Sequence, residues 1–398
     1  MNNINSIDNK SKIAIVVVGY NRIKSIQRLL GSLLNAKYPS DDIPLVLSID
    51  CSGDEGLYQY VREFKWQFGE KYVIIQQTRL GLKEHILKCG DLSQYFKAII
   101  LLEDDLYVSP YFYFYTTAAV EKYNNNKYIA GISLYKNETN GYVGLPFSPL
   151  NNGSDVFALQ ETSTWGECWT ESMWNGFKNW LKDGKTDIMT VDMPEQIKRW
   201  DQAWSKYYNA YLVSCDKYFI FPYISLTTNF NDAGVHGQNN NTIVQSNLLC
   251  GKKQYFMFDF DKLVRYDIYF NNADLFKSLW LDDNELCVDL YGSNPNYQNK
   301  RYLLSVLSFP YKSVHNFALN LRPHELNIIY DIPGNDIHLY DTSQKILKKI
   351  KPKLNLEFFT YHLQGFNWKY LLFSVLRYYL DAVKRKVKLP MINNLFNS

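Results

Sequence analysis

The sequence predicts an α/β fold: a doubly wound, mainly parallel sheet with helices on both faces, followed by a smaller C-terminal α+β subdomain. Three observations predict it. Short apolar runs rich in Val and Ile recur between Lys12 and about Ser133, and amphipathic helical stretches separate them. Beyond Gly251 the texture turns Tyr/Phe/Asn-rich, with Pro295, Pro310, Pro323 and Pro333 as punctuation.

Five strands are expected, at Ile13–Val18, Leu45–Ile49, Tyr72–Gln76, Ala98–Leu102 and Tyr128–Ser133. Each is a continuous apolar run of the kind that sheets buried on both faces require. Between the first two, Ile23, Ile26, Leu30, Leu33 and Leu34 recur at helical spacing, and Leu82, Ile86 and Cys89 form a similar stripe before the fourth strand. Residues 134–250 lose this regularity and gather Trp165, Trp169, Trp174, Trp180, Trp200 and Trp204, a segment suited to lining a cleft beside the sheet. The expected organisation is a catalytic domain over residues 12–250, a subdomain over 251–365 and a basic amphipathic tail over 366–398. In that tail Leu371, Leu372, Val375, Leu376, Tyr379, Leu380 and Val383 alternate with Lys384, Arg385, Lys386 and Lys388. Such a helix suits an anionic membrane surface, or a packed C-terminal helix with a solvated basic end.

A chain of 398 residues exceeds what one core usually organises. The net charge of +3 is too small and too evenly spread for a nucleic-acid binder. Cys51, Cys89, Cys168, Cys215, Cys250 and Cys287 lack the C-x-x-C spacing of zinc or redox sites and read as reduced thiols. The opening residues MNNINSIDNKSK lack the apolar run of a signal peptide, and no later stretch is long enough to span a bilayer. The expected compartment is the cytoplasm, with peripheral contact at the inner face of the cell membrane through the tail.

The fourth apolar run stops abruptly at Glu103-Asp104-Asp105. Burying even one unpartnered carboxylate is costly, so three at a sheet's rim need a cation, basic partners or open solvent. A hard divalent ion, Mg2+ or Mn2+, bridging a diphosphate would answer this, because oxygen ligands suit it and phosphates complete its shell. Ligands of doubly wound sheets bind beyond the carboxyl ends of the strands. There, Gly19-Tyr20-Asn21-Arg22 after the first strand offers an arginine to phosphate, and Asp50 after the second offers a carboxylate to a base or ribose. Taken singly, Arg22 also reads as a helix-start residue paired with a surface acid, and Asp50 as a cap.

The segments V-V-V-G-Y-N-R, L-S-I-D-C-S-G, G-L-K-E-H-I-L-K-C, I-L-L-E-D-D-L-Y-V-S-P-Y-F and T-N-F-N-D-A-G-V-H-G together resemble GT-A-fold glycosyltransferases. The likeness is to the N-acetylglucosaminyltransferase I type and to bacterial family 2 relatives. It covers about residues 12–240 and is dense only around the motifs. It implies a nucleotide-sugar donor, with Asp105 on the metal, Asp104 and Glu103 facing ribose and sugar, and Arg22 on the diphosphate. It further implies that Asp50 and His85 flank the base, which would be uracil. By sequence alone a histidine placed as His85 is more often a helix-face residue than a ligand contact. Asn231–Gly237, with Gly234 and His236, matches the segment that closes over the donor.

For inverting transfer to a glycan or lipid-linked acceptor, the resemblance puts the catalytic base at Asp201, within Arg199-Trp200-Asp201-Gln202. The second acid of the family's version is Gln202 here, which leaves Glu161, Glu167 and Asp192 as rivals. Two other readings share this sheet. A sugar nucleotidyltransferase needs a Gly-rich loop after the first strand, and Gly19-Tyr20-Asn21-Arg22 is not one. A non-catalytic carbohydrate-binding or assembly scaffold has no physical use for three clustered acids.

Overall fold

The computed structural model describes residues 9–201, 203–232, 244–347, 356–363 and 367–387. Up to Ser133 strands and helices alternate: β1 (Asn9–Gly19), α1 (Ile23–Asn35), β2 (Leu45–Ile49), α2 (Glu55–Glu63), β3 (Lys71–Ile75) and α3 (Leu82–Gly90). There follow β4 (Phe96–Glu103), the short β5 (Leu106–Val108), α4 (Phe112–Tyr123) and β6 (Ile129–Ser133). All five expected strands are present, each within a residue or two at the ends that border the site.

The less regular middle supplies β7 (Thr139–Asn140), β8 (Leu145–Pro146), β9 (Val156–Leu159), β10 (Glu167–Trp169), α5 (Glu171–Asp183), α6 (Glu195–Lys198) and α7 (Trp204–Ser214). Then come β11 (Tyr218–Pro222), β12 (Thr227–Asn229) and β13 (Arg265–Tyr266). The nine-stranded sheet runs β13-β9-β11-β6-β10-β4-β1-β2-β3. Pairing is parallel through β3, β2, β1 and β4, while β10 runs against both β4 and β6. β6 therefore shares the direction of β4, and β11 pairs with it in parallel. β1 is an interior strand, third from the β3 edge, and its seven residues from Ile13 to Gly19 are buried because β2 and β4 flank it and helices cover both faces.

Chain order reverses across β1: β2 and β3 lie on one side and β4 on the other. This is the switch point at which such sheets open a crevice beyond their carboxyl ends. On α1 the buried stripe is Ile26, Leu29, Leu30 and Leu33. On α3 Ile86 and Cys89 are buried but Leu82 is exposed, so the expected stripe begins one turn late.

Three of the six tryptophans of the middle segment are core, and Trp165, Trp180 and Trp200 are partly exposed. Trp169, Trp174 and Trp204 are buried around Tyr208, whose ring stacks on Phe177 at 4.2 Å. Large flat side chains bury the most area per residue, so they close the interior behind β10 in preference to lining a cleft.

A second sheet, ordered β14-β15-β17-β16, is built from β14 (Leu286–Asp289), β15 (Tyr302–Ser305), β16 (Tyr311–Phe317) and β17 (Ile337–Lys345). This is the smaller α+β part, but the boundary expected at residue 250 is crossed, because β13 joins the large sheet beside β9. The described residues up to 347 form one compact unit, and residues 356–387 belong to a second, with helices Leu356–His362 and Trp368–Val387. Among the described residues no helix is long and apolar enough to cross a membrane.

Candidate active site

The parallel register sets Val18 of β1 beside Glu103 of β4, so the segments that follow, Gly19–Arg22 and Asp104–Asp105, leave the sheet side by side. A Cβ on Gly19 would sit 3.2 Å from Ile49 and 3.3 Å from Ile26, so the missing side chain lets β2 and α1 pack closely against this strand end. Arg22 is the N-cap residue of α1 and makes no side-chain capping bond. Ser, Thr, Asp and Asn are the residues favoured at that position, and an arginine there breaks the local rule.

Its guanidinium is engaged elsewhere. Nη2 pairs with Asp104 Oδ1, Nε donates to Asp104 Oδ2 at 3.3 Å, and Nη1 donates to Asp105 Oδ2 at 3.0 Å and to the Asp232 carbonyl at 3.1 Å. Asn229 Nδ2 donates to Asp105 Oδ1 at 3.3 Å. The buried carboxylates thus find a basic partner within the chain. Burial pulls Arg22 toward losing its proton, and Asp104 and then Asp105 more than reverse this, leaving its pKa raised. Burial pushes Asp104 up to about 6 despite Arg22, and pushes Glu103 up to about 8, helped by Asp105 and Asp104.

Behind Glu103 stands Glu167 of β10. It is opposite Leu101, two residues before Glu103, so both glutamates project from the same face. Glu167 is fully buried and neither carboxyl oxygen has a hydrogen-bond partner among the described residues. Burial, then the charge of Glu103, holds its pKa well above the carboxylate range.

The strip after β12 closes one flank. β12 pairs with β5, and Phe230 N donates to the Asp105 carbonyl at 3.0 Å. Asp232 accepts from Ser25 Oγ at 2.6 Å and pairs with Arg28, whose guanidinium also lies 3.8 Å from the centre of the Phe230 ring. Arg28, Ser25 and Asn229 were not singled out in the sequence. The three-residue spacing of Arg22, Ser25 and Arg28 along one flank of α1 was the available signal.

Asp50 and His85 already have partners. Asp50 is buried and accepts from the Leu80 and Gly81 amides at 2.9 and 3.0 Å, fixing the turn into α3, where Gly81 takes φ 77°. His85 is buried, with Nε2 2.7 Å from Ser48 Oγ, and burial lowers its pKa to about 4. Arg79, exposed on the same turn, lies 5.0 Å from the centre of the Tyr20 ring and has no ion-pair partner among the described residues.

Asp201 is exposed and has no side-chain partner among the described residues. It precedes α7, which leads into β11, a strand running in the direction of β4. The start of α7 therefore lies on the edge where β1 and β4 end, and Lys83 in the first turn of α3 reaches the Tyr207 ring at 4.4 Å. Among its rivals, Glu161 is held by Tyr142 and Asn137, and burial raises it to about 7 despite both. Glu167 is sealed in the core, and Asp192 accepts from Tyr269 at 2.8 Å. Gln202, Gly234 and His236 lie outside the described residues.

Among the described residues no three His, Cys, Asp or Glu side chains are grouped to hold a metal. The donor set offered by Asp104 and Asp105 still fits Mg2+ or Mn2+, which are commonly held by one or two carboxylates with phosphates and water completing the shell. A cavity of about 380 Å3 opens beyond the ends of β6 and β11, lined by Lys136, Tyr223, Lys253 and Tyr255 among others, with none of the acid cluster in its wall.

No protein-family model and no curated protein matches the chain. Similar solved structures include S. aureus TarS 1–349 in complex with UDP-GlcNAc, at 15% identity and TM-score 0.36, covering 56% of this chain and 60% of that one. Another is the mannosyltransferase PcManGT from Pyrobaculum calidifontis in complex with GDP-Man and Mn2+, at 10% identity and TM-score 0.33, covering 55% and 60%. The likeness spans three fifths of either protein's length and assigns no activity to this chain.

Proposed function

We propose that this chain is a metal-dependent, inverting glycosyltransferase that moves a sugar from a nucleotide-sugar donor, a UDP-sugar, to a glycan or lipid-linked acceptor. The observation that carries the reading is Arg22, a cation placed between Asp104 and Asp105 at the switch point of the sheet. An arginine fork matches phosphate oxygens as well as it matches carboxylates. When the donor diphosphate arrives, Arg22 gives it the N–H groups now spent on Asp105, and Arg79 adds a second cation on the rim. The freed oxygens of Asp105, with Asp104 beside them, would hold Mn2+ or Mg2+, which neutralises charge on the leaving diphosphate.

The chain's own residues do the rest. Asp50, His85 and Ser48 keep the turn before α3 in place, with the base lying along it. Asp201 accepts the proton of the acceptor hydroxyl as that oxygen bonds to the anomeric carbon. The sugar–phosphate bond breaks with its electron pair on the nucleoside diphosphate. The cavity beyond β6 and β11 gives the acceptor room on the same edge.

Calorimetric titration with UDP, with and without Mn2+, tests the reading. In Asp105→Asn the Mn2+-dependent affinity should fall at least ~10-fold, while Asp201→Asn keeps UDP affinity and loses roughly 10²-fold or more in transfer. Undiminished UDP affinity in the Asp105 variant refutes the metal assignment.

A further inference from the structure

Helix Trp368–Val387 carries five cationic residues, Lys369, Arg377, Lys384, Arg385 and Lys386, against the single acid Asp381. Set against the total of +3, the helix at +4 leaves the remainder of the chain at −1. The positive charge of this protein is therefore concentrated in one helix. Its large apolar side chains are also in the open: Leu372 is 62% exposed, Phe373 61%, Leu376 53%, Tyr379 64% and Leu380 60%. Leu372, Val375, Leu376 and Tyr379 stand at steps of three and four, so they form one stripe, which Phe373 and Leu380 widen. Arg377 lies off that stripe.

We infer that this helix lies flat in the interface of an anionic lipid bilayer, with the Leu372–Leu376–Tyr379 stripe among the acyl chains and its cations on acidic headgroups. Charge decides between the possible occupants. A second copy would bring an equally cationic helix against this one, and like charges at close range oppose that pairing. Acidic headgroups attract every one of the five, and a helix of net positive charge with Leu, Phe and Tyr exposed along it is the composition that binds membrane surfaces. Charge within the helix also excludes crossing, so it lies on the bilayer and does not span it. The inference does not depend on the reading of the acid cluster.

The test is co-sedimentation of the full chain with phosphatidylcholine vesicles, with and without phosphatidylserine, at physiological salt. The chain should partition at least ~10-fold better onto the anionic vesicles, and both Leu372→Glu/Leu376→Glu and Lys384→Gln/Arg385→Gln/Lys386→Gln should lose about that factor. A thermal melt of each variant verifies that the body is intact. Equal binding to neutral vesicles, or unchanged sedimentation of either variant, overturns the inference. So does light scattering that finds a dimer which Leu372→Glu/Leu376→Glu dissociates, since the stripe would then belong to a second copy.

Discussion

Arg22 and Asp105, 83 residues apart in sequence, meet at 3.0 Å between Nη1 and Oδ2 where β1 and β4 leave the sheet. The contact replaces solvent for a buried carboxylate, and the same guanidinium serves Asp104. Replacing Arg22 by Met removes the cation and leaves two acids together in a desolvated place. A loss of about 3–5 kcal/mol is expected. Urea unfolding at neutral pH measures it, and Arg22→Met/Asp104→Asn/Asp105→Asn should recover much of the loss. If Arg22→Met unfolds like the parent, the guanidinium is not what holds these acids.

His85 gives a dependence on pH. Burial lowers its value to about 4 from the ordinary 6.5, so the folded protein keeps it neutral where the unfolded chain takes up a proton. Stability contributed by the neutral ring is complete above pH 6.5 and declines as pH falls toward about 4. The decline attributable to this residue is on the order of 3 kcal/mol. His85→Gln, which can still bond to Ser48, should flatten the pH dependence of urea midpoints across that window. A variant as acid-sensitive as the parent would show that His85 titrates normally.

Packing against the sheet gives a third expectation. A Cβ on Gly131 of β6 would fall 2.2 Å from the Phe219 ring of the neighbouring β11. Neither strand can retreat, since both are paired on their other sides. Gly131→Ala should cost roughly 1–3 kcal/mol in a thermal melt, and Phe219→Leu in the same chain should return part of it. An alanine variant melting with the parent would mean that Phe219 swings clear.

The half of the sheet that holds β1 to β4 was legible because buried parallel strands must be apolar throughout, and runs such as Leu45–Ile49 have no other use. The acid cluster was legible for the same reason, as a sudden break in such a run. β10 was not, because its three residues carry Glu167 and sit between β4 and β6 only by long-range pairing. Trp169, Trp174 and Trp204 misled because composition cannot tell a core aromatic from one lining a cleft. Asp50 announced a polar strand end but not what it holds, since its partners Leu80 and Gly81 are backbone amides thirty residues on. Arg22 was legible as an arginine at a strand end, while its grip on both aspartates needed the register of β1 against β4.

Arg22 also begins α1: its carbonyl accepts from the Ile26 amide and closes the helix's first turn. A ligand that recruits the guanidinium therefore pulls on a peptide already committed to starting a helix. The helix bond belongs to the Arg22 backbone and the grip on the acids to its side chain, so a substitution there releases Asp104 and Asp105 while the first turn of α1 keeps its bond.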